Sequence, residues 1–336
     1  MGKLELLATL FRHPLLLLKL VKLSKSAGMY MDALVAEHFR EILLPLDAPG
    51  KAKSLNQIME EQGYSNRPLF EELIAILEKN KFITKLNEKI WLSKIIPINI
   101  IEQTEKKLAP EVIEAFATFL DATKKAISDR LIEKPIDDFD AGELRIQWNI
   151  ALRGEFYRLQ RRKAFELTKL KTWVTKRKQP LTFLDYGCGS GDGTRQLYEY
   201  LNKIGIEFNM EACDVSEGLM EIAEEDETLE LPIYYFSLKE KNPPENHYDA
   251  IFASQVLHWI QNPTELVANM KSWIKPGGII FGVQSSESKR LYQIDLFIRL
   301  LGAQGFPALD TFRSWFKNND MTLEYYELFG IFKAEK

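Results

Sequence analysis

Four glycines alternate with other residues in Asp185-Tyr-Gly-Cys-Gly-Ser-Gly-Asp-Gly193. The segment follows a strand-like run, Thr182–Tyr186, and precedes a helical stretch, Thr194–Ile204. Without Cβ atoms such a loop turns tightly and brings its backbone amides close to a ligand. The helix after it adds the positive end of its dipole. The alternation then continues: strand Glu207–Asp214, helix Gly218–Glu224, strands Ile233–Phe236 and Tyr248–Ala253, helix Pro263–Ile274, strand Gly278–Val283, with closing strands in Tyr325–Lys333. This order predicts an α/β fold, a Rossmann-like doubly wound seven-stranded sheet that binds its ligand at the strands' carboxyl ends.

The glycine spacing narrows the ligand. A nicotinamide fingerprint, G-x-G-x-x-G, fails here, because Asp192 stands three residues beyond Gly189 and Thr194 three beyond Gly191. Asp185, two residues ahead of the first glycine, would add negative charge beside a pyrophosphate and suits a cation instead. Asp214 closes the second strand, where a carboxylate can accept both hydroxyls of a ribose.

Leu184–Thr194, Asp214-Val-Ser216, Tyr248-Asp-Ala-Ile-Phe252 and Lys275-Pro-Gly-Gly278 resemble, in order, the characteristic blocks of class I S-adenosylmethionine-dependent methyltransferases. The resemblance covers residues 181–283. It implies that Gly187, Gly189, Gly191 and Asp214 bind the cofactor, that Asp185 holds its amino-acid end, and that Val215, Ser237, Leu238 and Ser254 complete the site. Ser237 stands where many members carry an acid for the adenine amino group. The order winged helix, helical connector, catalytic domain is similar to the small-molecule O-methyltransferases, which dimerise through the N-terminal region. In that family a histidine after the fourth strand is the general base. His258, in Ser254-Gln-Val-Leu-His-Trp-Ile260, matches it, although the family's Asp between His and Trp is missing, and it reads equally as a packed residue. A phenol of pKa about 10 gains from a base that titrates near neutrality.

The expected reaction is methyl transfer to a small, largely apolar acceptor at a hydroxyl. Tyr157, Arg161, Trp259 and Phe306 are the candidate acceptor contacts, with Phe312 and Trp315 as further pocket residues. The alternatives are N- or C-methylation of a lipid or quinone-like acceptor, or a winged-helix regulator that only senses the cofactor.

Three regions are expected: a winged-helix-like dimerisation domain over 1–96, a helical connector or lid over 97–178, and the cofactor domain over 179–336. Two N-terminal helices, Leu15–Ser24 and Tyr30–Leu44, precede a short helix Leu55–Gln62, a helix from Pro68 to Asn80, and a hairpin of Phe82–Leu86 with Ile90–Leu92. Asp47-Ala-Pro-Gly50 reads as a turn. The exposed face of the Pro68–Asn80 helix carries Glu71, Glu72 and Glu78, so no nucleic-acid partner is expected and a homodimer through the N-terminal helices is. One long helix is expected around Glu143–Leu170, after an acidic loop at Asp137–Asp140. Its Arg153, Arg158, Arg161, Arg162 and Lys163 form either a solvated face or a surface for an anionic substrate or lipid headgroup.

Net charge is −4 over 336 residues, which argues against duplex binding. Cys188 and Cys213 are too few for a disulfide framework and lie in no metal-ligand spacing, so a reducing, cytoplasmic setting and no metal are expected. The apolar run Leu15–Val21 is interrupted by Lys19 and is too short to span a bilayer, which needs about 20 residues. It reads as a buried helix, with peripheral membrane contact as the alternative.

Overall fold

The computed structural model describes residues 14–46, 51–108, 110, 113, 119–134, 143–225, 231–288, 291–327 and 329–336, and for 14–21, 23, 24, 143–145 and 156 the backbone alone. The expected turn at 47–50 and acidic loop at 137–140 lie outside these residues. In chain order the elements are α1 (Pro14–Leu43), β1 (Lys53–Ser54), α2 (Leu55–Gln62), α3 (Arg67–Lys79), β2 (Ile83–Leu86), β3 (Lys89–Leu92), α4 (Ile100–Glu105) and α5 (Leu120–Leu131). There follow α6 (Glu143–Leu152), α7 (Glu155–Leu167), α8 (Leu170–Val174), β4 (Leu181–Tyr186), α9 (Asp192–Ile204), β5 (Phe208–Asp214), α10 (Glu217–Glu224), β6 (Ile233–Ser237) and β7 (Tyr248–Ser254). The last are α11 (Pro263–Trp273), β8 (Ile274–Val283), α12 (Tyr292–Leu300), α13 (Leu309–Lys317), β9 (Thr322–Tyr326) and β10 (Ile331–Glu335).

The contacts divide the chain into residues 1–137 with 288–302, and residues 138–287 with 303–336. The division falls at 137/138, not at the expected 96 and 178, and α12 joins the first unit.

In the first unit α2 opens on a capping box, in which Ser54 and Gln57 each satisfy the other's backbone N–H, and ends at Gly63 with φ 67°. Strands β1, β3 and β2 form an antiparallel sheet in that order. Two expected helices are one here: α1 runs unbroken through Gly28, whose missing Cβ leaves room for Gln293 of α12 at 3.3 Å. Glu72 also departs from expectation. It is not on an open face, because the Arg299 guanidinium of α12 reaches it at 2.5 Å.

The second unit is built on a seven-stranded sheet, order β6-β5-β4-β7-β8-β10-β9, as the alternation predicted. Neighbours from β6 to β8 are parallel, and β10 is antiparallel to both β8 and β9. Central strands β4 and β7 are buried almost throughout because helices cover both faces. On one face Phe165 of α7 packs on Phe252 and Phe281. On the other, Leu266, Val267 and Met270 of α11 join Phe312 and Phe316 of α13. Strand order reverses between β4 and β7, and the loops after these two strands part there. The expected long helix at 143–170 is broken at Gly154, which takes φ −58° and ψ 146° and starts α7 afresh. Among the described residues no helix is long and apolar enough to cross a membrane, and no group of His, Cys, Asp and Glu could hold a metal ion.

Candidate functional site

The loop after β4 is held by backbone bonds to the end of β5. The N–H groups of Gly187 and Cys188 both donate to the Cys213 carbonyl, at 2.8 and 3.0 Å. Asp214 then ties two loops together: one carboxylate oxygen accepts from Gly189 N at 2.8 Å and the other from Ser216 N at 2.9 Å. Gly187 has φ 72°, and a Cβ there would lie 2.4 Å from Cγ2 of Val256, in the loop after β7. Glycine at 187 therefore permits both the left-handed turn and the contact between two loops at the switch point. At Gly191, φ 75°, a Cβ would lie 2.8 Å from Ala223.

Asp185 is buried and accepts a 2.6 Å bond from the Thr194 hydroxyl. Burial pushes its pKa up to about 7, against the opposing pull of that hydroxyl and of Arg161. Arg161 is also buried. Its guanidinium pairs with Asp192 at 3.0 Å and donates to the carbonyls of Tyr157 and Leu152. A Cβ at Gly193 would lie 3.1 Å from Arg161 Nη1 and 3.6 Å from Asp185 Oδ2, so this cation sits at the start of α9 between two acids. Val215 is 56% exposed. Ser237 ends β6 opposite Asp214, donates from Oγ to Glu217 at 3.4 Å and accepts from Lys239 N. Leu238 N donates to the Asp214 carbonyl, and Ser254 ends β7.

Carboxylates at the ends of adjoining strands, flanking a loop of left-handed glycines, fit a ligand with a cationic end and a vicinal diol. S-adenosylmethionine has both. Neither cysteine beside the loop is a nucleophile: burial holds both thiols well above the ordinary thiol range.

His258 follows β7 in a short 3₁₀ turn and is 4% exposed. Burial lowers its pKa to about 4, opposed by a hydrogen bond to Gln284. Nδ1 lies 3.3 Å from Oε1 and 3.2 Å from Nε2 of Gln284, whose amide nitrogen also donates to the Ser285 carbonyl at 2.9 Å. The Phe306 ring meets the imidazole edge-on at 5.2 Å, Trp259 lies at 5.6 Å, and Trp148 of α6 packs against Trp259. Of the candidate acceptor contacts, Trp259 and Phe306 thus gather round His258. Arg161 is tied instead to the Tyr157 and Leu152 carbonyls and to Asp192, which starts the helix after the glycine loop. Phe312 and Trp315 belong to the core beneath the sheet.

Gln284, Val256 and Leu152 carry no motif and are missed by sequence reasoning. Gln284 reaches His258 only because β8 runs beside β7. Gln255 has a positive φ of 58° and interlocks with Ser285, which fixes the turn into His258.

Residues 154–335 match the family described as a methyltransferase domain. A malonyl-[acyl-carrier protein] O-methyltransferase of Halalkalibacterium halodurans is 30% identical over 129 residues, 36% of this chain and 46% of that protein. The chain therefore spans less than half the length of that curated relative. Among solved structures, the DszA carbon methyltransferase is similar with a TM-score of 0.71 at 14% identity, over 100% of this chain and 94% of that one. The CurJ carbon methyltransferase gives 0.68 at 16% identity, over 98% of each. Human N-acetylserotonin methyltransferase in complex with SAM gives 0.51 at 14%, over 100% and 98%. With residues 154–335 matched, the chain belongs to the methyltransferase domain family and is an S-adenosylmethionine-dependent enzyme.

Proposed function

We propose that the enzyme methylates an activated carbon of a small acyl acceptor, with His258 as the proton acceptor. The observation that carries this reading is the geometry of the His258–Gln284 pair: an imidazole whose Nδ1 faces a side-chain amide and which is walled by aromatic rings. S-adenosylmethionine supplies, when bound, an electrophilic methyl group on a sulfonium sulfur. Asp214 holds the ribose hydroxyls, Asp185 the ammonium end, and Ser237 with Glu217 the adenine edge. Gln284 Oε1 accepts from His258 Nδ1–H, which leaves a lone pair on Nε2. That nitrogen would take the proton from the acceptor C–H, freeing the carbon's electron pair for the methyl group that the cofactor would supply. Because Gln284 offers a dipole and no charge, the imidazolium returns its proton readily. Trp259 and Phe306 keep water from the carbanionic centre and form the acceptor wall. Arg161, with Tyr157, positions the glycine loop.

One comparison favours carbon. The TM-scores to three carbon methyltransferase structures are 0.66–0.71, against 0.51 for the N-acetylserotonin enzyme, over similar coverage. The malonyl-carrier relative suggests a thioester-borne acceptor. Transfer to oxygen is the second reading, favoured by that same relative's name and by a flavonoid-bound O-methyltransferase of TM-score 0.51. The test is incubation with ¹³C-methyl-labelled cofactor and either acyl thioesters with an acidic α-carbon or phenols. A labelled C–CH₃ resonance on the thioester supports carbon. An O–CH₃ resonance, or turnover of phenols alone, sinks it.

We further propose that β1, α2, α3, β2 and β3 form a winged-helix-like element that binds no nucleic acid, that the chain dimerises through its N-terminal helices, and that the enzyme works in the cytoplasm. A monomer in light scattering at micromolar concentration would refute the dimer.

A further inference from the structure

A cleft of about 560 Å³ lies between α7 and α9, on the flank of the sheet and away from the His258 cluster. Arg158 and Arg162 line it from α7, Arg195 and Lys203 from α9, and Arg153 from the segment before α7. The carboxylates in its lining are Asp192 and Glu199. Asp192 is already paired with Arg158 at 2.6 Å and with Arg161. Among the described residues no carboxylate pairs with Arg162 or Lys203.

A solvated helix face is the plainer explanation of a charged stretch, but such faces mix signs and pair them. Here five cations meet two acids in a chain whose net charge is −4. Like charges at i and i+4, as at 158 and 162, destabilise the helix that carries them. Guanidinium groups match phosphate oxygens two at a time. The cleft is also concave and lies within the usual size of small-ligand sites, about 300–1,000 Å³. It offers more than charge. Phe165 and the half-buried Tyr200, with rings 5.1 Å apart, give it an aromatic floor. Gln196 also lines the cleft, with its amide nitrogen held by Asp192.

We propose that this cleft binds a nucleoside polyphosphate at a site separate from the cofactor's. The arginines and Lys203 take the phosphates, and Tyr200 the ring. The site touches the cofactor loop: Arg195 donates to the Ser190 carbonyl at 3.1 Å, and Arg158 holds Asp192 at the start of α9. An occupant that draws these arginines away therefore changes the support of the loop, and its affinity is linked to the cofactor's.

The test is calorimetry on the full chain saturated with S-adenosylhomocysteine, so that the cofactor site is filled, with inorganic pyrophosphate and ATP as probes. Both bind once per chain and lose affinity with added salt, and ATP binds more tightly. Arg162→Ala/Lys203→Ala weakens both at least tenfold while S-adenosylhomocysteine affinity is kept. If that variant fails to fold, Arg162→Gln is titrated in its place with the same expectation. No heat at millimolar probe, equal binding by variant and wild type, or a variant-sensitive pull-down by phosphatidylglycerol vesicles without pyrophosphate binding would each overturn the proposal.

Discussion

Gly187→Ala probes the contact on which the site is built. The new Cβ would stand 2.4 Å from Val256 Cγ2 and 2.9 Å from Val256 Cβ, at a residue whose φ is 72°. The left-handed conformation costs a non-glycine residue about 1–2 kcal/mol. Overpacking against a neighbour adds about 1–3 kcal/mol. Together the substitution stores about 2–5 kcal/mol. The protein can keep the strain, in which case amide exchange of β4 and β7 quickens by that free energy. Otherwise the loop relaxes, and even 2 kcal/mol then weakens cofactor affinity by about 30-fold. Hydrogen exchange and calorimetry with S-adenosylhomocysteine measure the two outcomes on one sample. Val256→Ala in the same background removes the 2.4 Å clash, leaves the 2.9 Å contact and leaves the backbone strain. The double variant should therefore be better than the sum of the singles by about 1 kcal/mol. Normal exchange together with normal affinity in Gly187→Ala would refute this account of the loop.

Asp214→Asn removes the charge from a carboxylate that accepts two backbone N–H groups, and each charge-assisted bond is worth about 1.5–3 kcal/mol. Cofactor affinity should fall at least tenfold by calorimetry, and an unchanged constant would remove Asp214 from the site. His258→Gln should cut turnover about 100-fold with cofactor affinity intact; near-normal turnover would end its role as base. The same residue makes a pH prediction. With its folded pKa at about 4, below the free value of 6.5, His258 adds stability that is complete above pH 6.5 and lost as pH falls through 4, up to about 3 kcal/mol. Asp185, raised to about 7, pulls the other way, its share being full below its free value of 3.8 and lost as pH rises through 7. The readable quantity is therefore the difference between wild type and His258→Gln in unfolding experiments from pH 7 to 4, and a constant difference would contradict the buried neutral imidazole. Arg161→Leu takes from the buried Asp192 one of its two arginines and should destabilise the second unit by about 1–3 kcal/mol, while Arg161→Lys should lose less; an unchanged melting temperature for Arg161→Leu would contradict the pairing.

The sequence alone determined the features whose physics is local. Alternating strand and helix patterns specify the parallel sheet, because each pattern commits a stretch of ten or so residues without reference to the rest. The loop at 187–193 and the acids at 185 and 214 specify the cofactor, because a cation and a diol need those groups at those strand ends. Helix punctuation was less legible. The helices expected at Leu15–Ser24 and Tyr30–Leu44 are one, and Gly28 between them lies against Gln293 of a distant helix. Gly154 lies in a periodic pattern, yet it ends one helix and starts another. Only the tertiary structure decided what His258 is. Gln284 lies 26 positions away and Val256 meets Gly187 across the switch point, so neither contact leaves a sequence pattern. Strand order brings them together, and burial at that junction holds the imidazole neutral. The glycine loop could be read residue by residue, whereas the surroundings of His258 exist only as a product of packing.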